Sequence, residues 1–155
     1  MAKIHPRSQD LHCFVCGPEN SRGLHLKFHF SDGFCRTRFV SNLHHQGYDG
    51  WVHGGVLGAV LDDAMANWLY LQNLHAVAGR LTFRFRTPVA IGTPLQVEGR
   101  LIKRRGKMAQ MAAEARDPSG QKVAEADGTY VILGEQKIRH LGGEKPSERR
   151  LEGSS

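Results

Sequence analysis

The sequence predicts an α+β domain in which a curved antiparallel sheet wraps around one long central helix. Most of the chain alternates apolar and polar side chains with the two-residue period of half-buried strands. The segment from Gly54 to Asn73 breaks this alternation, lacks proline and is rich in Ala, Leu and Met, which favours a single helix. The predicted order is two strands, one helix and four strands, so the helix has one sheet to pack against.

The chain has 155 residues, 40% of them hydrophobic and 23% charged, which is typical of one globular domain. We predict an N-terminal extension with a Cys-x-x-Cys loop (1–23), the folded domain (24–134) and a disordered, mixed-charge tail (135–155). No segment has the length of a membrane span or the composition of a signal peptide, so we expect a cytoplasmic protein without a membrane partner. The net charge of +6 lies mainly on the folded domain, where it could serve an anionic ligand.

The strands are predicted as neighbours joined by turn sequences rich in Gly, Pro, Asp and Ser. The first strand is expected at 24–30, and Ser31-Asp32-Gly33 turns it into a hairpin partner at 34–40. After the helix, strands are expected at 80–86, 95–104, 108–116 and 122–133.

The predicted helix has two distinct faces. Its large apolar residues fall on one broad side, which we expect to face the sheet: Val56, Leu57, Val60, Leu61, Met65, Trp68 and Leu71. A second stripe consists of small residues around one acid, Asp62, which therefore lies at a solvent gap or in a subunit seam. Asp63 is about 100° away around the helix and is expected to be an ordinary neighbour.

The helix is predicted to begin at His53-Gly54-Gly55, after a glycine-interrupted loop at 47–52. Unpaired N–H groups and the positive end of the helix dipole can stabilise a developing oxyanion, as acyl transfer from a thioester requires. Gly54 and Asp62 are separated by about 12 Å along one helix, too far to act on one carbonyl. If they cooperate, they come from two chains related by a two-fold axis, with two sites per dimer.

These residues resemble those of a known family. His53-Gly54-Gly55, an acid nine positions after the histidine and the strand that ends at Pro88 resemble the hotdog-fold acyl-CoA thioesterases of the phenylacetate-pathway type, in the 4-hydroxybenzoyl-CoA thioesterase superfamily. The resemblance implies a homodimer or homotetramer that hydrolyses acyl-CoA thioesters without a metal or a cofactor. It implies that the Gly54 N–H binds the oxyanion and that Asp62, from the other chain, acts as general base or nucleophile.

Two positions differ from many relatives. They have an Asn six positions before the histidine, where this chain has Gly47 and neighbouring Gln46 could supply the amide. They have a Ser or Thr that helps to hold the attacking water, where this chain has Ala78. Hydrolysis and acyl-CoA binding without hydrolysis therefore both stay open, and a dehydratase of the same fold is a weaker alternative.

His53 is expected either to satisfy the backbone at the helix start or to orient the thioester. The candidates for substrate binding are Gly55, Arg84, Arg86, Arg104 and Arg105, the arginines through the CoA phosphates. A solvated sheet face is the alternative for the arginines. Nucleic acid is not expected as a partner, because the aromatic side chains of that strand alternate onto the opposite face. Candidates for the acyl pocket, or equally for core or dimer contacts, are Tyr48, Trp51, Val52 and Trp68.

Cys13 and Cys16 have the spacing of metal ligands, but a structural zinc site needs four ligands and the chain has no second Cys-x-x-Cys pair. Cys35 with a histidine, His12 or His25, could complete a site only through an arrangement that the sequence does not show. We therefore predict a small buried loop with reduced thiols and no metal.

Overall fold

One long helix lies against a single antiparallel sheet in the computed structural model, which describes residues 3–4 and 10–134. The elements in chain order are β1 (Lys3–Ile4), β2 (His29–Ser31), β3 (Phe34–Val40), a 3₁₀ turn (Leu43–His45), α1 (Gly54–Leu71), β4 (Ala76–Phe85), β5 (Pro94–Arg105), β6 (Met108–Arg116) and β7 (Lys122–Ile132). The strand order is β1-β2-β3-β5-β6-β7-β4. The predicted α+β class is confirmed, and the predicted tail at 135–155 lies outside the described residues.

The strand predicted at 24–30 is wrong over most of its length, because β2 contains only residues 29–31. His25 has a φ of +52°, a left-handed conformation that interrupts an extended strand. The neighbouring N–H groups of Leu24 and Leu26 instead donate to the carbonyl oxygens of Phe14 and Val15, both at 2.8 Å. The alternating segment therefore covers the N-terminal loop before it joins the sheet.

The helix ends at Leu71, two residues before the predicted end at Asn73. Asn73 has a φ of +60°, and the N–H of Leu74 donates to the Leu69 carbonyl oxygen at 3.0 Å. This is a Schellman cap, in which Asn is among the few residues that accept the left-handed conformation. The sharp end of the helix lets β4 begin at Ala76 instead of at position 80.

The broad apolar side of α1 packs on the concave face of the sheet. The backbones come very close where α1 crosses β5, because a Cβ at Gly99 would lie 2.6 Å from the carbonyl oxygen of Ala64. A side chain at position 99 would therefore push the helix off the sheet. The largest fully buried residues include Phe28, Phe39, Leu61, Met65, Leu69, Leu95, Met111 and Tyr130.

Strand β4 forms one edge of the sheet and pairs only with β7 among the described strands. It is ten residues long, and Phe85 at its end is 51% exposed. A long edge strand with exposed apolar side chains is a template for pairing with another chain. No helix within the described residues is long and apolar enough to cross a membrane.

Candidate functional site

The start of α1 leaves one backbone donor without an acceptor. The N–H of Gly55 donates to Nδ1 of His53 at 2.8 Å, and the N–H groups of Val56 and Leu57 both donate to the His53 carbonyl oxygen at 3.1 Å. The Gly54 N–H has no acceptor among the residues that the structure describes. His53 is thus the N-cap residue, and Gly54 presents its N–H at the positive end of the helix dipole.

An open groove of about 460 Å³ runs between α1 and β4 from the helix start to Asp62. Its lining consists of His53, Gly54, Gly55, Gly58, Ala59, Asp62, Leu81, Phe83 and Phe85. The ring of Phe85 lies 3.5 Å from where a Cβ of Gly54 would stand, and the ring of Phe83 lies at the same distance from that of Gly58. The predicted stripe of small residues therefore forms part of this groove and lets both rings pack close to the helix. The two rings also stack on each other, with centroids 6.3 Å apart.

The carboxylate of Asp62 is held by a tyrosine that the sequence analysis missed. Tyr130 on β7 is 1% exposed, and its hydroxyl donates to Oδ1 of Asp62 at 2.6 Å. A hydrogen bond to a carboxylate is stronger than one between neutral groups, so this contact fixes the orientation of Asp62. Ala78 lies directly opposite Tyr130 in the pairing of β4 with β7. Position 78 has no hydroxyl in this chain, and the hydroxyl beside Asp62 comes instead from Tyr130 on the neighbouring strand.

The expectation that Asp63 is an ordinary residue beside Asp62 is wrong, because its side chain is buried and hydrogen-bonded. It is only 8% exposed, and Nδ2 of Asn67 donates to its Oδ2 at 2.9 Å. Its Oδ1 lies 4.0 Å from Sγ of Cys13 in the N-terminal loop. The two adjacent acids therefore face different surroundings of α1, with Asp62 on the groove and Asp63 against the N-terminal loop.

A second open cavity of about 900 Å³ adjoins the same helix start. It is lined by Gly47, Tyr48, Trp51, Val52, His53, Gly54 and Pro88. Tyr48 is 89% exposed and Trp51 is 46% exposed, so the residues that the structure describes leave this aromatic wall open. Trp68 lies elsewhere, since its Nε1 donates to the carbonyl oxygen of Gly33 at 2.9 Å in the turn between β2 and β3.

Gln46 holds the loop that forms this cavity. Its Oε1 accepts a hydrogen bond from the N–H of Gly50 at 3.0 Å, and its backbone forms an isolated β-bridge with Val52. The side-chain oxygen is therefore engaged within the loop. In this conformation Gln46 shapes the approach to Gly54 without lining the cavity itself.

The four arginines predicted to bind CoA do not form one cluster within a protomer. Arg84 and Arg86 both pair with Glu125 on β7, at 3.8 and 2.8 Å. Arg104 pairs with Ala109 on β6, and Ala109 pairs with Tyr130 on β7. Tyr130 is five residues after Glu125 on that strand, so Arg104 lies about 17 Å along the sheet from the other two arginines. Its Nε donates to the carbonyl oxygen of Gly106, and Arg105 is exposed at the same hairpin.

The cations around Glu125 change its ionisation. Hydrogen bonds from Arg86 and Lys122 lower the pKa of Glu125 from 4.5 to about 2. Glu125 lies directly opposite Glu114 on β6, and Lys122 contacts both carboxylates, at 3.1 and 3.2 Å. These contacts offset the repulsion between two glutamates that face each other across the strands.

We expect Glu125→Gln to destabilise the fold at neutral pH and much less in acid. Because the folded-state pKa lies below the unfolded value, the ionised group contributes stability above about pH 4.5, and this contribution is lost as the pH falls toward 2. Urea unfolding of wild type and variant at pH 7 and pH 3 measures the difference in free energy of unfolding. An equal difference at both pH values would contradict this electrostatic role.

The chain matches a family model described as the thioesterase superfamily over residues 49–124. A crystal structure described as a thioesterase superfamily protein is 28% identical, covers 77% of this chain and 60% of its own, and has a TM-score of 0.73. This chain therefore spans less than two thirds of that relative's length. A search of the curated proteins found no match.

Two further solved structures share the fold. A phenylacetic acid degradation-related protein of Ralstonia eutropha JMP134 is 25% identical and covers 71% of this chain and 86% of its own, with a TM-score of 0.64. A hypothetical thioesterase of Streptococcus pneumoniae TIGR4, solved with coenzyme A, is 18% identical and covers 66% of this chain and 83% of its own, also at 0.64. The sheet wrapped around one helix is thus a hotdog fold. Residues 49–124 thus match the thioesterase superfamily, and the fold is that of a solved structure with the same description.

Proposed function

We propose that this protein is an acyl-CoA thioesterase that works in the cytoplasm as a homodimer or a larger assembly of dimers. The observation that carries the proposal is the unused Gly54 N–H at the start of α1, in the same groove as the oriented carboxylate of Asp62. An oxyanion donor and a carboxylate are the two groups that hydrolysis of a thioester requires. The bound coenzyme A of the Streptococcus pneumoniae structure supports the CoA part of the substrate.

The reaction centre in this proposal lies between two protomers. Gly54 and Asp62 are eight residues apart on one helix, about 12 Å along its axis, so they cannot reach the same carbonyl. No described residue covers the open edge of β4, the adjoining groove or the exposed aromatic wall at Tyr48 and Trp51. A second copy with its helix antiparallel to the first would bring its Asp62 to Gly54 and create two equivalent sites.

In the proposed mechanism, the Gly54 N–H donates to the carbonyl oxygen of the thioester as negative charge develops there. Asp62 either removes a proton from the attacking water or attacks the carbonyl itself and forms an anhydride. Both routes release the CoA thiol and a carboxylic acid. A single turnover in ¹⁸O-water that labels Asp62 establishes the anhydride route, because only that route lets water attack the carboxyl carbon of Asp62.

The proposal is tested by the release of free thiol from short, medium, long and aromatic acyl-CoAs with the purified protein. Hydrolysis of at least one ester establishes the enzyme, and the preferred ester identifies the acyl group. Tight binding of an ester without thiol release would instead establish a non-catalytic acyl-CoA binding protein. Ala78 favours this second function, because it removes a hydroxyl that many relatives use.

We expect Tyr130→Phe to lower kcat by about tenfold, which is the effect of losing one hydrogen bond to a charged group. The variant keeps the buried ring and removes only the donor to Asp62. KM should change little, because Tyr130 acts through Asp62 and does not touch the substrate. A purely structural role predicts a lower Tm with unchanged kcat in the surviving folded protein, so both quantities are measured.

The arginine hypothesis predicts that KM for a CoA ester rises with salt. Counterions weaken phosphate contacts made by exposed guanidinium groups, so the binding of the ester depends on salt. Gly54 and Asp62 act at the reacting carbonyl, so kcat should depend on salt much less. We expect Arg84→Gln or Arg105→Gln to raise KM several-fold with little change in kcat. A KM that is the same at low and high salt in the wild type would contradict the phosphate role.

A further inference from the structure

The N-terminal loop and α1 bring together three groups that the proposed hydrolysis does not use. The Sγ atoms of Cys13 and Cys16 and a carboxylate oxygen of Asp63 lie within 4.8 Å of one another. We propose that these three side chains bind one Zn²⁺ ion, which fastens the loop to the helix. This inference does not depend on the proposed hydrolysis.

The loop is built to hold both thiols on one side. The N–H of Gly17 donates to the Cys13 carbonyl oxygen at 2.9 Å, which closes a tight turn around the Cys-x-x-Cys segment. A Cβ at Gly17 would lie 2.3 Å from the Cys13 nitrogen and 2.6 Å from the carbonyl oxygen of Leu11. Only glycine fits this turn, so the backbone path that carries both cysteines depends on Gly17.

Asp63 is oriented in the way that metal-binding carboxylates usually are. Asn67, which is fully buried, donates its Nδ2 to Oδ2 of Asp63 at 2.9 Å and to the Asp63 carbonyl oxygen at the same distance. This contact directs Oδ1 toward Cys13, 4.0 Å away. Hydrogen bonds from an outer shell of residues hold ligands in the orientation that a metal needs. Asn67 supplies that support here.

The ligand set favours zinc over other divalent ions. Two thiolates exclude Mg²⁺ and Ca²⁺, which prefer oxygen, and suit a borderline-soft ion with tetrahedral geometry. With Zn–S of about 2.3 Å and Zn–O of about 2.1 Å, a tetrahedral site needs ligand separations of about 3.6 to 3.8 Å. The observed separations, 4.0 Å between Cys13 and Asp63 and at most 4.8 Å within the set, need side-chain movements of up to about 1 Å. Because Cys13 is only partly buried, water can occupy the fourth position.

No metal is expected from the sequence, because the candidates for the third and fourth ligands are Cys35 and a histidine. None of these joins the cluster among the residues that the structure describes. His12 instead faces Glu19, and His25 contacts the carbonyl oxygen of Asn20. The third ligand is Asp63, which is fifty positions after Cys13. The spacing of residues along the sequence does not predict a ligand at that distance.

The site is tested on the full chain, purified with a thiol reductant, incubated with ZnSO₄ and dialysed against metal-free buffer. Elemental analysis should find about one zinc per chain in the wild type and at most about a tenth of that in Cys16→Ser and in Asp63→Asn. Cys35→Ser is the matched control, because Cys35 is also buried but lies outside the cluster, and it should keep the full amount.

Replacing zinc with Co²⁺ gives a second measurement that does not depend on whether the variants fold. The wild type should show near-ultraviolet sulfur-to-cobalt charge transfer and the visible bands of a tetrahedral site. Substoichiometric zinc in the reduced wild type, or equal zinc in all variants, would overturn the proposal. Absence of the charge-transfer band, or a disulfide between Cys13 and Cys16 in protein loaded with zinc, would do the same.

Discussion

Replacing Asp62 with Asn is expected to lower kcat for acyl-CoA hydrolysis by about 10²- to 10⁴-fold, the usual contribution of a general base. Asparagine has nearly the shape of aspartate and can still accept the hydrogen bond from Tyr130 through its side-chain oxygen. It can neither take a proton from water nor form an anhydride. The loss should therefore appear in kcat, as measured by thiol release, while size-exclusion chromatography shows an unchanged fold and an unchanged oligomeric state.

Asp127→Asn is the matched control for this substitution. Asp127 is also a carboxylate on an element that packs near Asp62, but it is exposed on the outer face of β7. It should retain the activity of the wild type. Full activity in Asp62→Asn would remove Asp62 from the mechanism, and equal losses in both variants would show a general effect of lost charge.

Replacing Gly54 with Pro is expected to lower kcat by about 10²- to 10³-fold, the effect of removing one oxyanion donor. Proline deletes the N–H and little else at this position. Gly54 is the first residue of α1, where proline is favoured, and His53 already has a ψ of 131°, as a residue before proline prefers. A Cβ at position 54 would make an ordinary contact, 3.5 Å from the ring of Phe85.

Gly54→Ala is the control, because it adds the same Cβ and keeps the N–H. It should retain most of the activity, so that the difference between the two variants isolates the donor. If both variants are equally impaired, the loss comes from the added carbon and the N–H has no role. Circular dichroism and Tm verify that the helix of Gly54→Pro is intact.

The same two variants test whether the site is shared between protomers. In a dimer that combines one Asp62→Asn chain with one Gly54→Pro chain, one site contains both intact residues and the other contains neither. Random re-association of equal amounts should therefore restore about a quarter of the wild-type activity. No recovery in a mixture shown to contain heterodimers would place Gly54 and Asp62 in the same protomer's site.

Much of the fold follows from local sequence. The alternation of apolar residues predicts β3, β5, β6 and β7 to within two residues at each end, because the two-residue period of a strand shows directly in its burial. The start of α1 at Gly54 is also predicted correctly, since the glycines and the change of period mark it. The errors at β2 and at the helix end both occur where a non-glycine residue, His25 or Asn73, has a positive φ. Neighbouring residues do not reveal that conformation.

The sequence by itself predicted the helix start at His53-Gly54-Gly55 and placed Asp62 on the stripe of small residues, because the geometry of one helix is known in advance. Only the tertiary structure showed which side chains contact the carboxylates of Asp62 and Asp63. Tyr130 reaches Asp62 across 68 positions, and Cys13 reaches Asp63 across 50, through the register of β7 and the path of the N-terminal loop. Such contacts depend on how elements pack, which local propensity and spacing do not encode. The difference between two adjacent aspartates is therefore set by the sheet and the loop around the helix.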